Sequence, residues 1–98
     1  MVPRPIGILS RRQTDTIEKA LGATVTELRI RKGVSQAALA DKLGYSVSYI
    51  SKLERGQMNP TLRTLFDLAD SLGIEPDVLV KTMKRDFDQA RSRSKKRF

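Results

Sequence analysis

The sequence predicts an all-α fold, a compact bundle of five short helices carrying an N-terminal extension and a basic C-terminal tail. Three observations carry this expectation. Apolar residues recur at three- and four-residue spacings, and no segment alternates as a strand does. Residues that start helices (Asp15, Ser35, Ser46, Thr61, Pro76) take turns with glycines that stop them (Gly33, Gly44, Gly56, Gly73). Ninety-eight residues hold one core with tails, not two cores, and no internal repeat is visible.

Each element follows in order. Residues 1–14, with Pro3, Pro5 and Gly7 and no sustained period, read as an arm. Asp15 at N-cap and Glu18 at N3 form a capping box for the first helix, in which Ile17, Leu21, Val25 and Leu28 make the inward stripe. Gly22 weakens its middle slightly. Ser35 caps a second helix, Gln36 to Leu43, stopped by Gly44. Ser46 caps a third, Val47 to Arg55. Thr61 caps a fourth, with Leu62, Leu65, Phe66, Ala69 and Leu72 expected inward. Pro76 sits at N1 of a fifth, carrying Val78, Leu79 and Val80. The domain is expected over 15–88. Residues 89–98, ending SRSKKRF, are expected to be a disordered basic tail.

Nineteen Lys and Arg against eleven Asp and Glu give +8, and the charge is uneven. Residues 84–98 hold +5 and residues 1–15 hold +2. In the middle, Arg29, Arg31, Lys32, Lys42, Lys52, Arg55 and Arg63 face only Asp41 and Glu54, whereas 64–80 hold Asp67, Asp70, Glu75, Asp77 and no cation. A domain basic on one side and acidic on another orients toward a polyanion on encounter. Cys, His and Trp are absent, which excludes thiol and imidazole chemistry, disulfides and His/Cys zinc sites. No convergent carboxylate or lysine pair stands at helical spacing, so no enzyme, metal or cofactor is expected. No apolar run approaches the roughly 18 residues of a membrane span, and no signal-peptide core is seen; a cytoplasmic protein is expected.

The second and third helices and the turn between them form one unit, QAALADKLGYSVSYISKLER. Leu39, Leu43, Ile50 and Leu53 point inward, Ala40 is small where the helices cross, and Gly44 opens the turn. Val47, Ser48, Ser51, Lys52 and Arg55 then lie on the outer side of the third helix. An α-helix fits the major groove of DNA, and short side chains let its backbone approach the base edges.

The stretch Leu28 to Leu72, with its runs SQ-x-x-LA, YIS-x-LERG and NPTL-x-TL-x-x-LA, resembles the lambda-repressor/Cro-like (XRE-type) helix-turn-helix family over roughly residues 20–83. The resemblance implies a five-helix DNA-binding domain. It implies that Gln36 binds phosphate and steadies the recognition helix, and that Val47, Ser48, Ser51 and Lys52 fall on base-reading positions. Ser46, the cap of that helix, belongs to the same contact set. Tyr49, Arg55, Gln57, Asn59 and Arg63 fall where relatives touch the DNA backbone, and Arg29 with Glu54 matches an internal salt bridge. Val47 is aliphatic where many relatives place a polar reader, which leaves Lys52 as the long charged reader, with guanine its target. So sparse a code gives DNA shape a share of the specificity.

Leu79, Met83 and Phe87 continue an apolar series along the fifth helix. It packs either on its own bundle or, with Val80, in a dimer seam of the kind relatives use. The expected function is a sequence-specific transcriptional regulator, a homodimer on an inverted-repeat operator of double-stranded DNA. The alternative is an antitoxin or adaptor that mainly binds a protein partner such as a toxin or RNA polymerase. A basic tail without interleaved aromatics argues against RNA.

Overall fold

Hydroxyl caps set where the helices begin. In the computed structural model, which describes the backbone of residues 16–96 and the side chains of 16–92, four helices start at a Ser or Thr with extended backbone. The side-chain oxygen of each accepts the amide N–H three residues on: Thr16 from Lys19, Ser35 from Ala38, Ser46 from Tyr49 and Thr61 from Thr64. The helices are α1 (Ile17–Arg31), α2 (Gln36–Leu43), α3 (Val47–Glu54), α4 (Leu62–Ser71) and α5 (Pro76–Lys96). No strand occurs among the described residues, so the five-helix, all-α expectation holds.

One buried cluster joins all five. Ala20, Leu21 and Val25 of α1 meet Leu39 and Ala40 of α2, Ile50 and Leu53 of α3, Leu68 and Ala69 of α4 with Leu72 at its end, and Leu79 and Met83 of α5. Leu28, Leu43, Leu65, Ile74 and Phe87 pack around its edge, partly buried. α1 packs on α3 and α5, α2 on α3 and α4, and α4 on α5. α3 is therefore held from two sides.

The structure corrects four sequence expectations. Thr16, not Asp15, caps α1, with its hydroxyl 3.1 Å from the Lys19 amide. N3 is then Lys19 and Glu18 stands at N2, while Asp15, the expected cap of the box, lies outside the described residues. Ile17 becomes the first helical residue and is 50% exposed rather than inward. In α4 the buried side chains are Thr64, Leu68, Ala69 and Leu72, while Leu62 and Phe66 are 70% and 52% exposed. A polar contact accompanies the apolar burial of Leu68, Ala69 and Leu72 on this face. The Thr64 hydroxyl lies 2.8 Å from the Tyr45 hydroxyl and accepts from Thr61 Oγ1 at 3.1 Å, so a threonine fills an inward position that hydrophobicity alone assigns to Leu62 and Phe66.

α5 differs as well. It runs without a break past residue 88 and through Lys96, although a tail was expected from residue 89. Ala90, 7% exposed, is its last described apolar contact, one turn beyond Phe87, and the Arg91 guanidinium sits 5.3 Å from the Phe87 ring centre. Those contacts extend the helix where composition alone favours solvation.

Gly22 needs its missing side chain. A Cβ there would stand 2.5 Å from the Glu54 carbonyl oxygen and 2.6 Å from that of Leu53. Its absence lets α1 touch the end of α3 backbone to backbone, a packing role that helix propensity does not reveal.

Candidate nucleic-acid interface

The α2–α3 hairpin closes on Gly44, whose φ of +77° lies in the left-handed region, and the Tyr45 amide bonds back to the Ala40 carbonyl at 2.9 Å. Three hydrogen bonds to Glu54 then fix α3, and a fourth braces Arg29. Glu54, at its last turn, accepts from Arg29 Nε at 2.6 Å and from Arg29 Nη2 at 3.1 Å. Gln36 Nε2 donates to Glu54 Oε1 at 2.8 Å, and Arg29 Nη1 donates to the Val34 carbonyl at 2.9 Å. The Arg29 and Glu54 side chains are only 13% and 6% exposed. A buried ion pair with its spare hydrogen bonds filled is a rigid joint, because either charge left alone is costly. The salt bridge implied by resemblance is thus present, and Gln36 extends it to α2.

A second joint ties the hairpin to α4. The Tyr45 and Tyr49 rings pack with centroids 4.7 Å apart, and the Tyr45 hydroxyl meets Thr64 in the first turn of α4. Burial, and then the neighbouring Tyr45, push the Tyr49 phenol above its ordinary pKa, so it is a neutral O–H donor at physiological pH. Tyr45 and Thr64 were missed in the sequence. Their signal was a tyrosine directly after the turn glycine and a threonine inside an otherwise apolar stripe.

The outer surface of α3 holds the expected readers. Val47 is 46% exposed, Ser48 and Lys52 are exposed, and Ser51 is half-buried. The Lys52 side chain makes no ion pair or hydrogen bond among the described residues and stands exposed as an unneutralised charge. Ser46 uses its oxygen to cap α3 and keeps its O–H. Arg55, exposed at the C-cap, donates to Ser51 Oγ at 2.6 Å and to Gln57 Oε1 at 3.5 Å. Asn59 and Arg63 are exposed in the following loop and the first turn of α4. Along α5 the expected seam residues divide. Leu79 and Met83 are buried in this chain's own core, Phe87 is half-buried against it, and Val80 is 42% exposed.

A two-helix hairpin with a rigidly seated, outward-facing basic second helix defines the helix-turn-helix class. A helix-turn-helix family profile matches residues 25–79. The uncharacterized HTH-type transcriptional regulator y4dJ of Sinorhizobium fredii is 41% identical over 64 residues, covering 65% of this chain and 83% of that protein. The immunity repressor of Bacillus phage phi105 is 35% identical over 60 residues, 61% of this chain but 42% of the repressor, so the match spans less than half of that relative. Among solved structures, the clp gene regulator ClgR of Corynebacterium glutamicum superposes with a TM-score of 0.77 at 25% identity, covering 82% of this chain and 85% of that one. The restriction-modification controller protein C.AhdI of Aeromonas hydrophila gives 0.59 at 43% identity, with 61% and 91% covered.

The chain belongs to this helix-turn-helix family, a family of DNA-binding transcription regulators and not of enzymes. Among the described residues, no helix is long and apolar enough to cross a membrane.

Proposed function

We propose that the protein is a cytoplasmic, sequence-specific transcriptional regulator that binds an inverted-repeat operator in double-stranded DNA as a homodimer. The observation that carries this reading is the outer surface of α3, where small side chains and a free Lys52 face solvent while Glu54, Gln36 and Arg29 hold the helix from behind. Val47, Ser48, Ser51 and Lys52 face the base edges. Gln36, whose amide keeps one N–H after its bond to Glu54, grips a phosphate together with Ser46, Tyr49, Asn59 and Arg63.

Two copies related by a two-fold axis set their α3 helices about one DNA turn apart, roughly 34 Å. With Leu79 and Met83 spent on the core, apolar surface for the seam is offered by Leu62 and Phe66 of α4 and by Val78 and Val80 of α5. The identity with a restriction-modification controller and a phage repressor supports the regulatory role.

Selection of duplex DNA from a random pool near 150 mM salt tests this reading. An enriched inverted repeat with half-sites one turn apart is expected. Binding at low salt with nothing enriched would favour a protein-binding adaptor or antitoxin instead.

A further inference from the structure

Resemblance places Arg55 among the backbone contacts, yet its geometry in this chain draws it toward the bases. Arg55 stands one helical turn after Ser51, on the same side of α3, and its Nη1 donates to Ser51 Oγ at 2.6 Å. Its Nη2 lies 3.5 Å from Gln57 Oε1. The guanidinium is thereby held between Ser51, a base-reading position, and Gln57 just past the helix end, with the short bond to Ser51 the firmer of the two. Each terminal nitrogen of an arginine carries two N–H groups, so one on each remains after these two bonds. The side chain offers a paired donor set, pre-oriented by two neighbours, that matches the O6 and N7 acceptors of a guanine in the major groove.

We propose that Arg55 is a second base-reading residue, directed at a guanine, and that Ser51 and Gln57 are positioning residues for its guanidinium. Ser51 then has a double role. Its oxygen anchors Arg55, and its O–H is left to donate to an adjacent acceptor. A serine in place of alanine at this point of α3 sets where an arginine four residues later can reach, and so which base pair of the half-site is specified. Lys52 and Arg55 become two long cationic readers, of which only Arg55 is preset. The inference rests on the proposed DNA-reading role of α3.

The test uses the full chain. Wild type, Arg55→Ala, Arg55→Lys, Ser51→Ala and Ser51→Thr are each put through random-duplex selection. Each is then titrated against the enriched duplex and against the same duplex with one guanine pair replaced in both halves, while thermal melts check the fold. Wild type is expected to discriminate at one guanine by roughly 5- to 150-fold. Arg55→Ala and Arg55→Lys lose that discrimination, Ser51→Ala reduces it, and Ser51→Thr, which keeps the hydroxyl, retains it, all with unchanged melting. If Arg55→Ala weakens every sequence alike and preference survives, Arg55 is a phosphate contact and the proposal fails. If Arg55 variants lose the guanine but Ser51→Ala does not, the positioning role fails. If wild type enriches no sequence, the DNA-reading role of α3 falls first and takes this inference with it.

Discussion

Around α3 the helices are joined by directional bonds, with Glu54 accepting from Arg29 and Gln36 and Tyr45 meeting Thr64, whereas α4 and α5 meet through apolar side chains. Among the described residues no side-chain hydrogen bond or ion pair joins α4 to α5, and their outer faces leave Leu62, Phe66, Val78 and Val80 in solvent. Apolar burial is non-directional and tolerates small rotations, while a two-point guanidinium–carboxylate bond does not. The half that seats α3 uses the directional chemistry. The other half uses adaptable packing and leaves apolar side chains in solvent.

The comparison is broken most severely at Glu54. Glu54→Ala leaves Arg29 buried without its partner and should lower stability by about 3–5 kcal/mol, read by urea denaturation. A loss no larger than that of a surface substitution would mean the pair does not hold α3. Next comes Gly22→Ala. In an ordinary helix interior this exchange stabilises by about 1 kcal/mol; here the added methyl meets two α3 carbonyl oxygens, and a net loss of about 1–3 kcal/mol is expected from the same measurement.

The adaptable half should respond differently. Leu62→Ser with Phe66→Ser removes side chains that are 70% and 52% exposed, so monomer stability should fall by about 1–2 kcal/mol, less than at Glu54. Sedimentation should also show weaker self-association, and an unchanged dimer would place the seam elsewhere. The smallest effect concerns Asp86 on α5. Burial pushes its carboxyl above the ordinary value; Arg85 pulls it back and Glu27 of α1 pushes it further. The folded state therefore favours the protonated form, so the group's favourable contribution is complete at acid pH and is lost as pH rises through the raised value. Asp86→Asn should melt slightly higher than wild type at pH 7, with the gap closing below the ordinary aspartate range near pH 4. A gap that persists in acid would assign the gain to packing.

Much of the directional half was legible in the sequence. The later caps and the stops are local, the Arg29–Glu54 pair came with the family resemblance, and Leu39, Ile50 and Leu53 fall on one periodic face. What escaped is tertiary. Gly22 reads as a mild helix defect until α3's carbonyls arrive against it. Thr64 reads as surface until the Tyr45 hydroxyl arrives against it, and with Leu68, Ala69 and Leu72 it makes the buried face that leaves Leu62 and Phe66 outside. On the recognition face the residue types were visible, but the bond from Arg55 to Ser51 was not, because spacing shows that two side chains can meet and not that they do.

The central claim is that the outer surface of α3, held rigid from behind, reads base sequence. Titrating wild type and Lys52→Ala against the selected operator and against single-base variants of each half-site, at one salt concentration, tests it most directly. The expected result is that Lys52→Ala loses about 1–3 kcal/mol on the selected operator and loses its preference at one base pair, with other positions unaffected. Equal weakening on every duplex, with all preferences intact, would contradict the claim for this face of the helix.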